Sequence, residues 1–218
     1  MAIAFDVATN GGSTTATSLT YAHTCTGDNR ILFVGVLGNV SDTYNITGVT
    51  YGGVSLTQIS TAIRIPTDRI FGLWMLVNPA SGSNDVVASS SPSGFIQPDS
   101  FSYTGALQTG QPDATGTNVS TTGTSLTASV TTVADKSWAF AYFSCRTGVT
   151  SAGASTTSRD LTTSQLFCDS GADVTPAGSR SLIVNNTQSV EIAGIICSFS
   201  PAAAAAANNP TLLTLGVG

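Results

Sequence analysis

No apolar pattern with a helical period persists for three turns anywhere in this chain of 218 residues. A helix in a globular fold needs such a pattern to bury one face, so helices have little to form from. The chain instead offers runs rich in Val, Ile, Thr and aromatic residues, separated by clusters of Gly, Asn, Asp, Ser and Pro. That is the signature of strands and turns. The runs are Ala2 to Val7, Thr17 to Thr24, Arg30 to Leu37, Ile46 to Tyr51, Val54 to Gln58, Arg69 to Val77, Asn84 to Ser89, Ser100 to Tyr103, Ser125 to Thr131, Ser137 to Phe143, Leu166 to Asp169, Arg180 to Val184 and Ser189 to Phe199. Arg30 to Leu37 and Arg69 to Val77 are apolar on both alternating faces, which predicts central strands covered on both sides. Ser137 to Phe143 places Trp138, Phe140 and Tyr142 on one face and Ala139 and Ala141 on the other. Large facing small is how two sheets interdigitate. Between two of the runs, Gly52 and Gly53 can both take positive φ, as a tight hairpin turn requires.

Short strands at this density imply an all-β sandwich or barrel. The expected fold is a single β-sandwich, jelly-roll-like, over residues 1–201. The polar stretch Gln108 to Gly123 is expected as a long loop inside it, because aromatic strands lie on both sides. Residues 202–218 stand apart as a short C-terminal arm. After Ala202 to Ala207 and Asn208-Asn209-Pro210, the chain ends in the apolar, uncharged segment Thr211 to Gly218. The sandwich is complete by Phe199, so this segment is surplus to it. Leu212, Leu213, Leu215 and Val217 are its candidate partner-binding residues, suited to add to a sheet edge or to fill a groove.

Such a sandwich needs a core, and hydrophobic residues at 41% supply one. Charge is scarce at 9% of residues, against roughly 25% in an average domain. The 33 Thr and 28 Ser take the place of ions, and Thr in particular fits a pleated, half-buried surface. A surface of hydroxyls does not repel close neighbours and suits a protein packed beside copies of itself. The formal net charge is -5, with Lys136 the single lysine and the arginines scattered. Without a basic stripe to neutralise phosphates, nucleic acid is a poor partner, as is an anionic membrane surface. No run approaches the roughly 18 apolar residues of a spanning helix. Met1 to Asp6 lacks the basic and apolar regions of a signal peptide and reads as the first strand. The expected setting is a cytoplasm, left only by assembly and lysis.

Residues that carry chemistry are few. Cys25, Cys145, Cys168 and Cys197 are too widely spaced for the close pairs of metal sites. Free buried thiols are expected, with disulfides left open. His23, the only histidine, would need a nucleophile and an orienting carboxylate to act as a base, and no G-x-S-x-G elbow accompanies it. Asp28, Asp42, Asp68, Asp85, Asp99, Asp113, Asp135, Asp160 and Asp173 fall mostly in turns, where Asp bonds its own backbone. Glu191, the single glutamate, would need a facing carboxylate to cleave a glycoside. A calcium loop would show alternating Asp and Asn, and none is present. Tyr44, Tyr51, Trp74 and Tyr103 are candidates for stacking on a sugar, with Trp74 read as core. No catalytic residue, metal ligand or cofactor is assigned.

Four segments together resemble a known family. They are Gly48 to Thr57 (GVTYGGVSLT), Leu73 to Gly82 (LWMLVNPASG), Phe101 to Gly105 (FSYTG) with Gln108 and Pro112, and Ala134 to Trp138 (ADKSW). They are similar to the β-sandwich modules of phage structural proteins and bacterial surface proteins, whose usual pattern is VTYGGxxLT, LWYLxNPxxG and SFSGVDQ. The likeness covers about residues 30–200, and a shared fold does not by itself set function. One position departs: Ala106 and Leu107 precede Gln108 where the family has Asp, so an ion-binding role there is not carried over. The resemblance, with the charge-poor surface and the surplus arm, implies a non-enzymatic virion structural protein. The expectation is a phage capsid decoration or cement protein, homo-oligomeric, partnered with the major capsid protein and located in the virion. The alternative is a glycan- or receptor-binding module of a phage tail fibre or bacterial surface adhesin.

Overall fold

The computed structural model describes residues 1–39, 41, 43–65, 69–116, 119–162 and 164–203. The first half of the chain forms β1 (Ala4–Asn10), β2 (Thr14–Cys25), β3 (Ile31–Asn39), β4 (Asn45–Tyr51), β5 (Val54–Ser55), β6 (Thr57–Gln58), β7 (Ile63–Ile65), β8 (Arg69–Val77) and β9 (Gly82–Thr104). All belong to one antiparallel sheet organised by β9, which is 23 residues long. Along one edge of β9 lie β1 and then β2; along the other lie β3 and then β4. Beyond β3 comes β8, and beyond β8 come β6 and β7. The two-sided apolar runs are central, as their pattern requires: β3 sits between β8 and β9. Gly52 and Gly53 take φ of 55° and 80° in the hairpin that pairs Tyr51 with Val54.

The second half forms β10 (Ala114–Thr115), β11 (Val119–Thr131), β12 (Trp138–Cys145), β13 (Val149–Ala152), β14 (Thr157–Leu161), β15 (Gln165–Asp169) and β16 (Ser179–Phe199). Its sheet has the same plan. The long strand β16 carries β10 and then β11 on one edge and β12 and then β13 on the other, with β15 beyond β12 and β14 beyond β15. The match runs to single residues. Ile31 pairs with Tyr103 and Trp138 with Phe199; Gly38 pairs with Ile96 and Cys145 with Ile192. Both edge ladders slip at the same step, between Ala16 and Ser18 and between Gly123 and Ser125. One stretch of sequence keeps the record: Ser13 to Thr20 reads STTATSLT and Ser120 to Thr127 reads STTGTSLT. The chain is therefore a duplication of one supersecondary unit, each copy making one sheet.

The β-sandwich is as its strand pattern predicts. The jelly-roll order is a finer statement that these pairings do not single out. Two expectations change. Asn84 to Ser89 with Ser100 to Tyr103 form one strand, β9, and Arg180 to Val184 with Ser189 to Phe199 form one strand, β16. Their middles, SSSPSG and NNTQ, have turn composition, but Ser90 and Ser91 pair with β4, Asn185 and Asn186 pair with β13, and the segments before and after are laddered, so each strand runs on. The stretch Gln108 to Gly123, expected as a loop, already contains β10 and the start of β11.

Three apolar clusters follow from this plan. Between the sheets, Phe33, Phe71, Phe101 and Tyr103 meet Trp138, Phe140, Tyr142 and Phe167. Phe33 stacks on Phe140 and Phe101 on Phe167, each with centroids 4.5 Å apart. The approach is so close that a Cβ on Gly35 would lie 2.1 Å from Phe167. On its far side the first sheet curls over, so that Leu32, Val34 and Val36 of β3 pack with Val49, Val86 and Ala88. The second sheet curls in the same way, bringing Ala139, Ala141 and Phe143 against Leu126, Ala128, Leu182 and Val184.

Candidate functional site

Each copy of the unit places an aspartate where its first strand meets its long strand. Asp6 accepts bonds from the Ser102 hydroxyl at 2.8 Å, the Thr26 amide at 2.8 Å and the Thr26 hydroxyl at 2.5 Å. Burial opposes its charge, but the donated bonds outweigh it and hold the carboxyl below its usual pKa. At the matching place Asp113 accepts from Ser198, Ser200 and Ser137. Asp113 and Asp6 thus act as staples within the fold.

His23 is 1% exposed. Its Nδ1 bonds the Thr9 hydroxyl at 2.8 Å, and its Nε2 has no partner. Burial pulls its pKa down to about 4 despite the nearby charge of Asp6, so the ring is neutral at pH 7 and serves as a packed strand residue. The four cysteines are buried, and none is joined in a disulfide.

Two other carboxylates, Asp169 and Asp99, are fully buried and have no match in the other half. Asp169 accepts from Arg159 at 2.5 and 3.0 Å, from the Tyr103 hydroxyl at 2.7 Å and from the Gly171 amide at 2.8 Å. Arg159 in turn lies 4.3 Å over the ring of Phe5. Because Tyr103 and Phe5 belong to the first sheet, this pair ties the two sheets together. Asp99 is different. It is fully buried, accepts only the Gly11 amide at 3.2 Å through Oδ1, and leaves Oδ2 unpartnered. Burial, with the charge of Asp160 as a second cause, pushes its carboxyl up to about 7.

Of the aromatics considered for sugar stacking, Tyr44, Tyr51 and Tyr103 are buried rather than at the surface, and Trp74 is core as its strand pattern indicates. Because the first sheet curls, both faces of β3 and β8 are covered, and alternation along those strands no longer separates inside from outside. One exposed aromatic, Phe95, had no motif to flag it. It borders an open cleft of about 320 Å³ with Leu37, Gly38, Asn39, Arg69, Gln97 and Ser164. The Tyr44 hydroxyl donates to the Phe95 carbonyl at 2.8 Å and fixes that wall. The candidate arm residues Leu212, Leu213, Leu215 and Val217 lie outside the described residues. Within those residues the chain runs to Ala203, and Ala202 joins the Met1 amine and the Gly105 carbonyl.

Among the outer strands of the two sheets, β2 and β11 are the longest. Among the described residues β2 pairs only with β9 and β11 only with β16. From Gly11 to Thr26 and from Ala114 to Ala134 no Asp, Glu, Lys or Arg occurs. Ser18, Thr20, Ala22 and Thr24 are exposed on β2, and Ser125, Thr127, Ser129 and Thr131 on β11. The repeat of STTxTSLT was the signal that would have located both edges from sequence. No protein-family model matches the chain, and a search of curated proteins returns no match.

Proposed function

We propose that this chain is a non-enzymatic structural protein of a phage particle, a decoration subunit that assembles with copies of itself on the major capsid protein of a shell. The observation that carries this reading is the pair of long, uncharged, hydroxyl-faced outer strands β2 and β11. A free-standing protein normally protects such an edge with charge, proline or a covering element, whereas a lattice subunit is covered by its neighbours. The carboxylates fit the same reading: Asp6, Asp113 and Asp169 accept their bonds from within the fold. Immunogold labelling of purified particles tests it. Regular labelling over the shell is the expected result, and particles that carry no label would sink the proposal.

The Phe95 cleft favours a second reading, a glycan-binding module of a tail fibre or adhesin. A ring edge beside Arg69, Gln97 and Asn39 offers an apolar platform with polar groups around it. Label confined to tail fibres, with Phe95→Ala abolishing attachment to cells, would favour this reading over the first.

A further inference from the structure

We propose that copies of this chain join edge to edge, the run Ser18–Thr24 of β2 and the run Ser125–Thr131 of β11 each continuing a sheet into a neighbouring copy. This deepens the structural reading above, on which it rests, by naming the partner of the outer strands as a second copy of the chain.

An antiparallel strand uses its backbone groups on two sides. Among the described residues β2 and β11 use one side only, against β9 and β16. An outer strand with unpaired amides and carbonyls is a template for another strand. Its usual guards are charges, prolines and bulges. Charges and prolines are lacking from Gly11 to Thr26 and from Ala114 to Ala134. Each strand does have a slip, at Ala16/Ser18 and at Gly123/Ser125, but the runs that follow pair residue for residue, from Ser18 with Ser89 to Cys25 with Gly82 and from Ser125 with Asn185 to Thr131 with Ser179. These regular runs are the segments available for pairing.

Why a second copy rather than another protein follows from the duplication. Both edges come from equivalent positions of one repeated unit and share the sequence TSLT at Thr17 to Thr20 and Thr124 to Thr127. Each chain therefore presents two uncharged edges of similar length, with hydroxyls at all the alternate exposed positions but Ala22. Cross-strand Thr and Ser pairs are favourable neighbours on a sheet face. With only 9% charged residues and a net charge of -5, copies repel one another weakly. Two edges per molecule give a valence of two, enough for a ring or a row.

The test uses the purified full chain. Light-scattering chromatography should give a mass that is a multiple of the 22.0 kDa chain and rises with concentration. The variant Thr20→Lys with Thr127→Lys puts like charges on both edges and should run as a monomer, its association weakened at least tenfold. Val54→Lys with Leu107→Lys adds the same charge at exposed positions away from both edges and should assemble like the unaltered chain. Circular dichroism checks that each variant is folded. Hydrogen exchange needs no variant: amides of Ser18–Thr24 and Ser125–Thr131 should exchange more slowly at high protein concentration. An unaltered chain that stays monomeric at every concentration, an edge variant that assembles as before, or exchange that ignores concentration would each overturn the inference. Labelling of particles is a separate measurement, so an assembling chain absent from shells would refute the particle reading alone.

Discussion

Asp99 is the residue whose surroundings suit it least. Its folded pKa, about 7, lies above the ordinary aspartate value of 3.8. Between those values the unfolded chain gives up the proton while the folded chain keeps it. The unfolded state binds fewer protons, so stability falls as pH rises from about 4 to about 7 and then levels off. At about 1.36 kcal/mol per unit, the loss is on the order of 2–4 kcal/mol. Asp99→Asn keeps an oxygen for the Gly11 amide and removes the charge. Thermal melts should show Asp99→Asn more stable than the unaltered chain at pH 8, with the two close together at pH 4. An unchanged difference across that range would place the titration elsewhere. Trp138 makes a simpler case. It packs between the sheets with its Nε1 donating to Asp173 at 3.0 Å. Trp138→Ala should cost about 3–5 kcal/mol, as should Trp74→Ala in the curled cluster. A denaturant midpoint unmoved by either substitution would contradict the strand register.

At the scale of elements, β3 shows how sequence and packing divide the work. Its two-sided apolar pattern announces a central strand, but nothing local explains a glycine in its middle. The explanation lies across the sandwich, where Phe167 of β15 occupies the space a Cβ on Gly35 would need. Gly35→Ala should therefore cost about 1–3 kcal/mol by overpacking. Combining it with Phe167→Leu should recover part of that loss, and strictly additive costs in chemical denaturation would argue against the contact. The long strands β9 and β16 teach the converse lesson. Their polar centres look like turns because turn composition is judged from neighbours in sequence. Here the segments before and after each centre are held by strands on either side, and that pairing overrides local propensity.

Across the whole molecule the duplication sets the architecture and the aromatic layer makes it one unit. Phe33, Phe71 and Phe101 from the first copy meet Phe140, Tyr142 and Phe167 from the second, and the Tyr103–Asp169 bond crosses the same boundary. Neither sheet keeps a covered inner face without the other. Calorimetry should therefore show a single cooperative unfolding transition with equal calorimetric and van't Hoff enthalpies. Two resolved transitions would mean that the copies fold independently. Asp6, Asp113 and Asp169 are satisfied by hydroxyls, amides and Arg159, so a chelator should leave the melting temperature within about a degree. A large drop would reveal a bound ion that these bonds do not require.

By itself the sequence determined the all-β class, the central places of β3 and β8, the turn at Gly52 and Gly53, and the large and small faces of β12. All of these are local: a period of two and the φ freedom of glycine act between near neighbours. Only the tertiary structure decided which strands pair, that the pairing is repeated, that both sheets curl, and that Tyr44, Tyr51 and Tyr103 are hidden while Phe95 is not. Those facts join residues far apart in the chain, such as Ile31 with Tyr103 and Trp138 with Phe199. Equivalent positions carry different side chains, Ile31 against Trp138 and Phe71 against Gln165. A fold can keep its backbone hydrogen bonds while the residues that hang from them change, and so the ladder outlasts the pattern that would have revealed it.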